Sequence, residues 1–228
     1  MIQFVNVSKI YVSGYRALNS VNFMIHPGEM VVLTGLSGSG KTTIFKLLLR
    51  LITPTEGHII VNQKNIATLK KSELPHLRRW IGTVFQNPQL IQTQTVFDNV
   101  ALPLLVAGYR IEHVNLRVNA ALNKVGLTQK SHLFPTELSS GEQKRTEIAR
   151  AIVSTPKILL VDEPTENVDA ATAIEMLNLF KAFNQIGMTI VIATHHRNLM
   201  HDAHTRCLHI KNACVETGEK HEQETIVT

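Results

Sequence analysis

Residues 35–42 read Gly-Leu-Ser-Gly-Ser-Gly-Lys-Thr and fit the pattern G-x-x-x-x-G-K-[ST] of a phosphate-binding loop. The apolar run 30–33 precedes them and the helix-like run 43–49 follows, which predicts a strand, a loop and a helix. Glycines allow successive backbone N–H groups to surround a phosphate chain, while Lys41 would reach the terminal phosphates and the Thr42 hydroxyl would bind Mg²⁺. The sequence therefore predicts a nucleoside triphosphate site. The alternative, a chance glycine-rich turn, is disfavoured by the flanking strand and helix.

The composition is that of an ordinary globular protein. The 228 residues suffice for one substantial core, and 44% of them are apolar and 18% charged. A total of 23 Lys and Arg against 18 Asp and Glu gives a net charge of +5. Such a mild excess of positive charge suits the binding of phosphate or contact with an anionic membrane surface. It does not by itself indicate that the protein binds nucleic acid.

No segment predicts secretion or a membrane span. The longest apolar runs, such as 100–107, fall far short of the roughly 20 residues that cross a bilayer. The N-terminus alternates apolar and polar residues as a strand does and does not resemble a signal peptide. Cys207 and Cys214 have neither metal-ligand spacing nor a redox motif, so we expect a reduced, cytosolic compartment.

Strand and helix patterns alternate along most of the chain, which is typical of a parallel sheet covered by helices. The patterns predict strands at 1–7, 21–25, 30–34, 58–61, 81–85, 158–161 and 189–193. They predict helices at 42–51, 96–107, 111–125, 131–133, 141–154 and 170–183. Residues from about 87 to 140 contain few strand signals and are interpreted as a helical insertion. The polar segment 216–228 is interpreted as a tail.

Two carboxylates follow the apolar run 158–161, at the end of a predicted buried strand. Open α/β sheets bind ligands at the carboxyl ends of their strands, so Asp162 is placed to hold Mg²⁺ through water and Glu163 to polarise an attacking water. Phosphoryl transfer requires mainly positioning and charge stabilisation from a protein, which such a pair supplies. The ordinary alternative is a strand that ends in acidic loop residues without a catalytic role, and the presence of the phosphate loop disfavours it.

The segment 138–145 begins a helix, and on physical grounds it is only an N-cap with Glu142 in the first turn. The combination of 35–42, 138–143 and 161–163, in this order with Gln86 and His195, resembles the nucleotide-binding subunit of an ATP-binding-cassette (ABC) transporter. The resemblance implies one α/β domain over 1–228, a P-loop NTPase with a RecA-like core. Its core and N-terminal antiparallel β subdomain would occupy 1–86 and 158–215, a helical subdomain 87–157 and a tail 216–228.

The resemblance also implies roles for individual residues. Those implied in catalysis are Glu163, His195 and Gln86. Those implied in ATP binding are Tyr11, Gly35, Ser37, Gly38, Ser39, Gly40, Lys41, Thr42, Thr43 and Asp162. Those implied to contact the ATP of a partner chain are Ser139, Ser140, Gly141, Glu142 and Asp169. Those implied as Mg²⁺ ligands are Thr42, Gln86 and Asp162.

Two positions depart from the family pattern. Ser140 stands where the family usually has the first glycine of its signature, and a serine forced to positive φ costs on the order of 1 kcal/mol. His196 stands where the family often has aspartate after the switch histidine, and this change would alter how His195 is held. A cassette that clamps ATP without hydrolysing it is therefore one alternative, which the presence of Glu163 and His195 disfavours.

Residues 74–86 and 95–104 are similar to cassettes of bacterial cell division. This similarity implies a homodimer that closes on ATP at the cytoplasmic face of the inner membrane. It also implies a polytopic membrane partner through which the cassette controls cell-wall hydrolysis, with other division proteins and without nucleic acid. Coupling would use 87–103, where Leu90, Val96 and Phe97 form either a groove for a partner helix or core.

Two further classes of ABC protein are alternatives. Cassettes of lipoprotein release and of efflux share much of the same pattern. Cassettes linked to nucleic acid usually contain two nucleotide sites or a long coiled coil. Here only about 120 residues separate Lys41 from Asp162, and no heptad run fills them.

Overall fold

The structure is a computed structural model that describes residues 1–166, 168–195 and 205–217. The strands are β1 (Ile2–Ile10), β2 (Arg16–Ile25), β3 (Met30–Thr34), β4 (Glu56–Val61), β5 (Lys64–Asn65), β6 (Ile81–Val84), β7 (Ile158–Asp162), β8 (Thr189–Thr194), β9 (Arg206–Lys211) and β10 (Cys214–Thr217). The α-helices are α1 (Lys41–Leu48), α2 (Leu74–Arg79), α3 (Val96–Val106), α4 (Ile111–Lys124), α5 (Ser140–Ile152) and α6 (Ala170–Gln185). These elements form two compact units, the first comprising Met1–His26, Met30–Thr68 and Ala193–Thr228, the second Pro27–Glu29 and Leu69–Ile192.

The first unit contains an antiparallel sheet with the strand order β2-β1-β4-β5. Ile2 pairs with Ile25 of β2 and with Val61 of β4, and the rings of Phe4 and Phe23 stack at 4.4 Å. The same unit contains β3, whose five residues are all buried. Strand β9 pairs with β3 in parallel and with β10 antiparallel. This arrangement places the end of β3, and hence the phosphate loop, beside the C-terminal strands.

The second unit combines strands with most of the helices. Strands β6 and β7 pair in parallel, and β8 lies next to β7. All residues of β8 except the last two belong to this unit. Helices α3, α4 and α5 pack against one another. Their contact faces bury aliphatic residues of i, i+4 spacing, among them Val100, Leu104, Val114, Val118 and Leu122. The helical insertion predicted from 87 onwards is therefore a packed helical layer.

The prediction of an α/β protein is confirmed, with corrections to individual elements. Residues 131–133 form a turn between two short 3₁₀ helices, Thr128–Lys130 and Pro135–Glu137, because Pro135 cannot continue a helix from the preceding residues. Helix α2 and strands β5, β9 and β10 were not predicted. Strand β10 runs to Thr217 and includes the first two residues of the predicted tail, whereas 218–228 lie outside the described residues. Among the described helices, none combines the length and hydropathy of a bilayer span.

Candidate nucleotide-binding and hydrolysis site

The phosphate loop of the first unit connects β3 to α1 through a backbone that has no space for side chains at two glycines. A Cβ added to Gly35 would lie 2.6 Å from the carbonyl oxygen of Ile210 in β9. A Cβ added to Gly40 would lie 2.6 Å from the carbonyl oxygen of Ala17 in β2, and Gly40 has a φ of 115°. Glycine is therefore required at both positions by close backbone approach, and at Gly40 also by its conformation.

Lys41 begins α1 and folds back onto the phosphate loop. Its ammonium donates hydrogen bonds to the carbonyl oxygens of Gly35 at 2.7 Å and Leu36 at 3.2 Å, although the residue is only 7% exposed. Backbone carbonyls compensate a buried cation for part of its lost hydration. The Ser39 hydroxyl oxygen is buried and has no hydrogen-bond partner among the described residues, which fits a loop that receives a polar ligand.

Two tyrosines border the phosphate loop. The hydroxyl of Tyr11 lies 3.1 Å from that of Thr43, so the structure brings together these two predicted ATP contacts. The hydroxyl of Tyr15 donates a hydrogen bond to the Gly38 carbonyl, and its ring lies nearly parallel to that of Tyr11 with 6.3 Å between centroids. Sequence reasoning missed Tyr15, because an aromatic residue in a turn before a strand has no distinguishing pattern.

The second unit holds the predicted carboxylates at the end of β7. Asp162 and Glu163 are 5% and 7% exposed, and Glu163 has a φ of 45°. A left-handed glutamate costs on the order of 1 kcal/mol, and such strained residues are concentrated at functional sites. The Gln86 side-chain amide donates to a carboxylate oxygen of Glu166 at 2.6 Å. The structure thus places Gln86 beside an acidic residue that sequence reasoning did not assign to the site.

The donor set fits Mg²⁺ in its chemistry. Thr42, Gln86 and Asp162 offer hydroxyl, amide and carboxylate oxygens, which Mg²⁺ prefers to nitrogen or sulfur. Within the described ranges, no group of three or more His, Cys, Asp or Glu residues is arranged to hold a metal. Mg²⁺ usually retains waters and binds substrate phosphates together with one or two protein ligands, so the predicted ligands fit this ion without such a group.

The signature segment, residues 139–141, forms the N-terminus of α5. The Ser139 hydroxyl accepts from the N–H of Glu142 at 3.3 Å, and the Glu142 carboxylate accepts from the N–H of Ser139 at 3.0 Å, forming a capping box. Ser140 is the first helical residue and is absent from the residues with positive φ. The strain expected for a serine at this position therefore does not arise, because a right-handed helical conformation suits any residue.

Asp169 lies close to the signature segment. It caps α6 by accepting from the N–H of Thr172 at 2.9 Å and from its hydroxyl at 2.6 Å, and these bonds lower the pKa of Asp169. A Cβ on Gly141 would lie 3.0 Å from the Thr172 methyl group. The structure therefore brings the predicted partner-contact residues together at two neighbouring helix N-termini, which attract negative charge.

Two predicted features lie at the edge of the described residues. His195 directly follows β8 and is exposed, and its contact with the γ-phosphate stays a prediction. His196, one of the two departures from the family pattern, lies outside the described residues.

Comparison with known proteins identifies the family. The chain matches the ABC transporter family over residues 18–166. It belongs to that family. It is 46% identical over 222 residues to the cell division ATP-binding protein FtsE of Escherichia coli strain K12. The aligned residues cover 97% of this chain and 100% of that relative. FtsE of Bacillus subtilis strain 168 is 41% identical over 219 residues, covering 96% of each chain.

A solved structure extends the comparison to three dimensions. The dimeric post-hydrolysis state of the ATP-binding cassette MJ0796, bound to ADP and Pi, has a TM-score of 0.87 and 36% identity, covering 96% of this chain and 98% of that one. The predicted P-loop NTPase fold is confirmed by this likeness. The chain is an ABC ATPase, which binds and hydrolyses ATP.

Replacing Glu142 with glutamine tests the electrostatic part of the signature cap. The side-chain hydrogen bond from Lys130, at 2.5 Å, and the backbone bond from Ser139 hold the pKa of Glu142 below its ordinary value of 4.5. A carboxylate with a lowered folded pKa stabilises the fold above its unfolded pKa, and this contribution is lost as pH falls through the folded pKa. We therefore expect Glu142→Gln to lower the free energy of unfolding at neutral pH, and the difference to shrink below about pH 4.5.

Denaturant titrations of both chains between about pH 3 and 7 measure this difference. A difference that stays constant over that interval would contradict the electrostatic contribution. Glu175→Gln is a suitable control, because Glu175 also pairs with a cation of α5, Arg145 at 2.8 Å, but is exposed and takes no part in the cap.

Proposed function

We propose that this chain is the ATP-hydrolysing subunit of a membrane complex of bacterial cell division. ATP-driven closure of a homodimer would act through a polytopic inner-membrane protein of FtsX type to regulate cell-wall hydrolysis. The observation that carries the proposal is the similarity to FtsE proteins along nearly the full length of both chains. The cassette would lie on the cytoplasmic face of the inner membrane, as a peripheral subunit.

The chemistry assigned to the site is phosphoryl transfer to water. Lys41 and the loop amides would neutralise the phosphate charge, Tyr11 would stack on adenine, and Glu163 would accept the proton of the attacking water. His195 and Gln86 would contact the γ-phosphate and its surroundings. Mg²⁺ held by Thr42, Asp162 and Gln86 would offset charge on the phosphate oxygens.

The second chain of a dimer would complete each site. The signature segment and Asp169 share one surface at the N-termini of α5 and α6, where N–H groups and helix dipoles favour an anion. The related cassette MJ0796 forms a dimer in its post-hydrolysis state. We propose that the γ-phosphate of one chain binds this surface of the other, so that closure requires two ATP molecules.

We retain the subdomain division as a proposal, with a core at 1–86 and 158–215, a helical subdomain at 87–157 and a tail at 216–228. The distribution of strands supports this division. Residues 87–157 lie between the end of β6 and the start of β7, and none of the described strands falls within them.

Replacing Glu163 with glutamine tests the dimer and the catalytic carboxylate together. The amide keeps the shape of the side chain and cannot accept a proton, so the rate of hydrolysis should fall by at least about a hundredfold. ATP that is bound and not cleaved should hold the dimer closed. Sedimentation velocity should show a dimer with ATP and a monomer with ADP. A variant that stays monomeric with ATP and hydrolyses it at the parent rate would contradict the proposal.

A groove in the second unit offers a docking site for the membrane partner. It has a volume of about 860 Å³ and is lined by α2, β6, the C-terminal half of α3 and the end of α5. Apolar residues of its wall include Leu102 and Val106, which are 37% and 81% exposed. Its charged residues are Arg78, Arg79 and Arg150, and no acidic residue lines it. The chemistry fits a short helix with an apolar face and an acidic residue.

This groove differs from the one considered from the sequence. Leu90 and Val96 are 7% and 0% exposed and belong to the core, whereas Phe97 is half-buried. Of the two alternatives that the sequence leaves open, the core therefore holds for Leu90 and Val96, because the face of α3 that carries Val96 packs inward, whereas Val106 at the other end of the helix is exposed.

A charge placed in the groove should release the membrane partner. In Val106→Glu a carboxylate would be desolvated on docking, so a tagged chain should lose the membrane protein recovered with the parent from native membranes, while ATP binding stays unchanged. Leu116→Glu is the matched control, because Leu116 of α4 is 72% exposed and lies outside the groove. Mass spectrometry of the recovered proteins measures the effect. Equal recovery with both variants would contradict docking in the groove.

A further inference from the structure

Three charged residues follow one another at i, i+3 and i+6 on a single side of α5. They are Lys144, Glu147 and Arg150, and this spacing stacks them along the helix. Lys144 and Glu147 are 2% and 0% exposed as residues, and the Arg150 side chain is 15% exposed. Charged residues are almost never so deeply buried without partners, so the positions of their partners are informative.

All three residues bind the backbone of the segment that follows β6. A Glu147 carboxylate oxygen accepts from the N–H of Phe85 at 2.9 Å. The Lys144 ammonium donates to the carbonyl oxygen of Phe85 and, at 2.9 Å, to that of Gln86. Arg150 donates to the carbonyl oxygen of Gln89 at 2.6 Å. Both backbone polar groups of Phe85 are thus bound by side chains of one helix.

The charges also interact with each other and with the carboxylates of the site. The Lys144 ammonium lies 3.6 Å from one Glu147 oxygen, and Arg150 lies 4.0 Å from the other. Lys144 also interacts electrostatically with Asp162 and with Glu166, which accepts a hydrogen bond from the Gln86 side chain. The group that binds the Gln86 carbonyl therefore also attracts the acidic partner of the Gln86 side chain.

Stability alone does not account for this arrangement. Burial lowers the pKa of Lys144 and raises that of Glu147, because desolvation disfavours both charged forms. A buried ion pair is often no more stabilising than an apolar pair of similar volume. An apolar pair would, however, leave the polar backbone groups of Phe85 and Gln86 without these partners. What the charged pair adds is a defined position for that backbone.

We propose that Lys144, Glu147 and Arg150 are positioning residues that form a backbone clamp, holding residues 85–89 to α5 as one body. Because α5 begins with the signature segment, the clamp couples the position of the Gln86 side chain to the surface that meets the partner chain. This inference rests on the proposed role of Gln86. It predicts that, when nucleotide displaces residues 85–89, helix α5 and the signature segment move together with them.

Hydrogen exchange in the full chain tests the clamp directly. Removing one charge would leave the other buried and destabilise the fold, so the test variant is Lys144→Met with Glu147→Leu, which removes both charges at similar volume. Exchange of the amides of residues 85–89 should become at least about tenfold faster, while exchange of the amides of β8, which the three residues do not bind, stays unchanged. Glu175→Gln is the control, because it breaks an exposed ion pair to the same helix, with Arg145, and leaves the clamp intact.

The steady-state rate of ATP hydrolysis separates positioning from a general loss of structure. The clamp variant should lower kcat with little change in KM, because the phosphate loop is untouched. In a Gln86→Ala background the same variant should have little further effect, since residues that act through one group are not additive.

Each outcome bears on one claim. Unchanged exchange at residues 85–89 would overturn the clamp, and a kcat loss that persists in full in the Gln86→Ala background would overturn its action through Gln86. A parent chain that neither binds nor hydrolyses ATP would instead contradict the proposed function, and the exchange measurement would still decide whether the clamp exists.

Discussion

The backbone of the phosphate loop is enclosed so tightly by its own unit that two of its positions admit only glycine. The carbonyl oxygens that approach Gly35 and Gly40 belong to β9 and β2, near opposite ends of the chain. The shape of this loop therefore depends on strands that are remote in sequence and that must be in place before the loop amides can surround a phosphate. This constraint links the folding of the first unit to its chemistry.

Among the residues that the structure describes, each unit contains a buried lysine that donates to two consecutive backbone carbonyls. Lys41 binds the carbonyls of residues 35 and 36, and Lys144 binds those of residues 85 and 86. In both cases the ammonium gains partners that replace its hydration, and the backbone gains a defined course at a segment without regular secondary structure. The first lysine shapes a loop that is assigned to the phosphates, and the second shapes the segment that carries Gln86.

The sequence was sufficient where function depends on local pattern. The strand, loop and helix around Lys41, the carboxylates at the end of β7 and a helix cap at 139–140 follow from short-range rules, and the structure has these elements there, with Ser139 as the cap. It was insufficient where long-range contacts decide. Glu147 reaches Phe85 across 62 residues, and Tyr15 reaches Gly38 across 23, and neither pairing leaves a periodic signal. The backbone strain expected at Ser140 is absent for a different reason, because α5 begins at that residue and its φ is not positive.

In the proposed function a second chain completes each ATP site, so the most direct test is the rate of ATP hydrolysis measured over a range of protein concentrations. If the signature surface of one chain must meet the nucleotide of another, the rate per chain should rise with protein concentration and level off once the dimer dominates. A rate per chain that is the same at every concentration, down to values where sedimentation shows only monomer, would contradict the account.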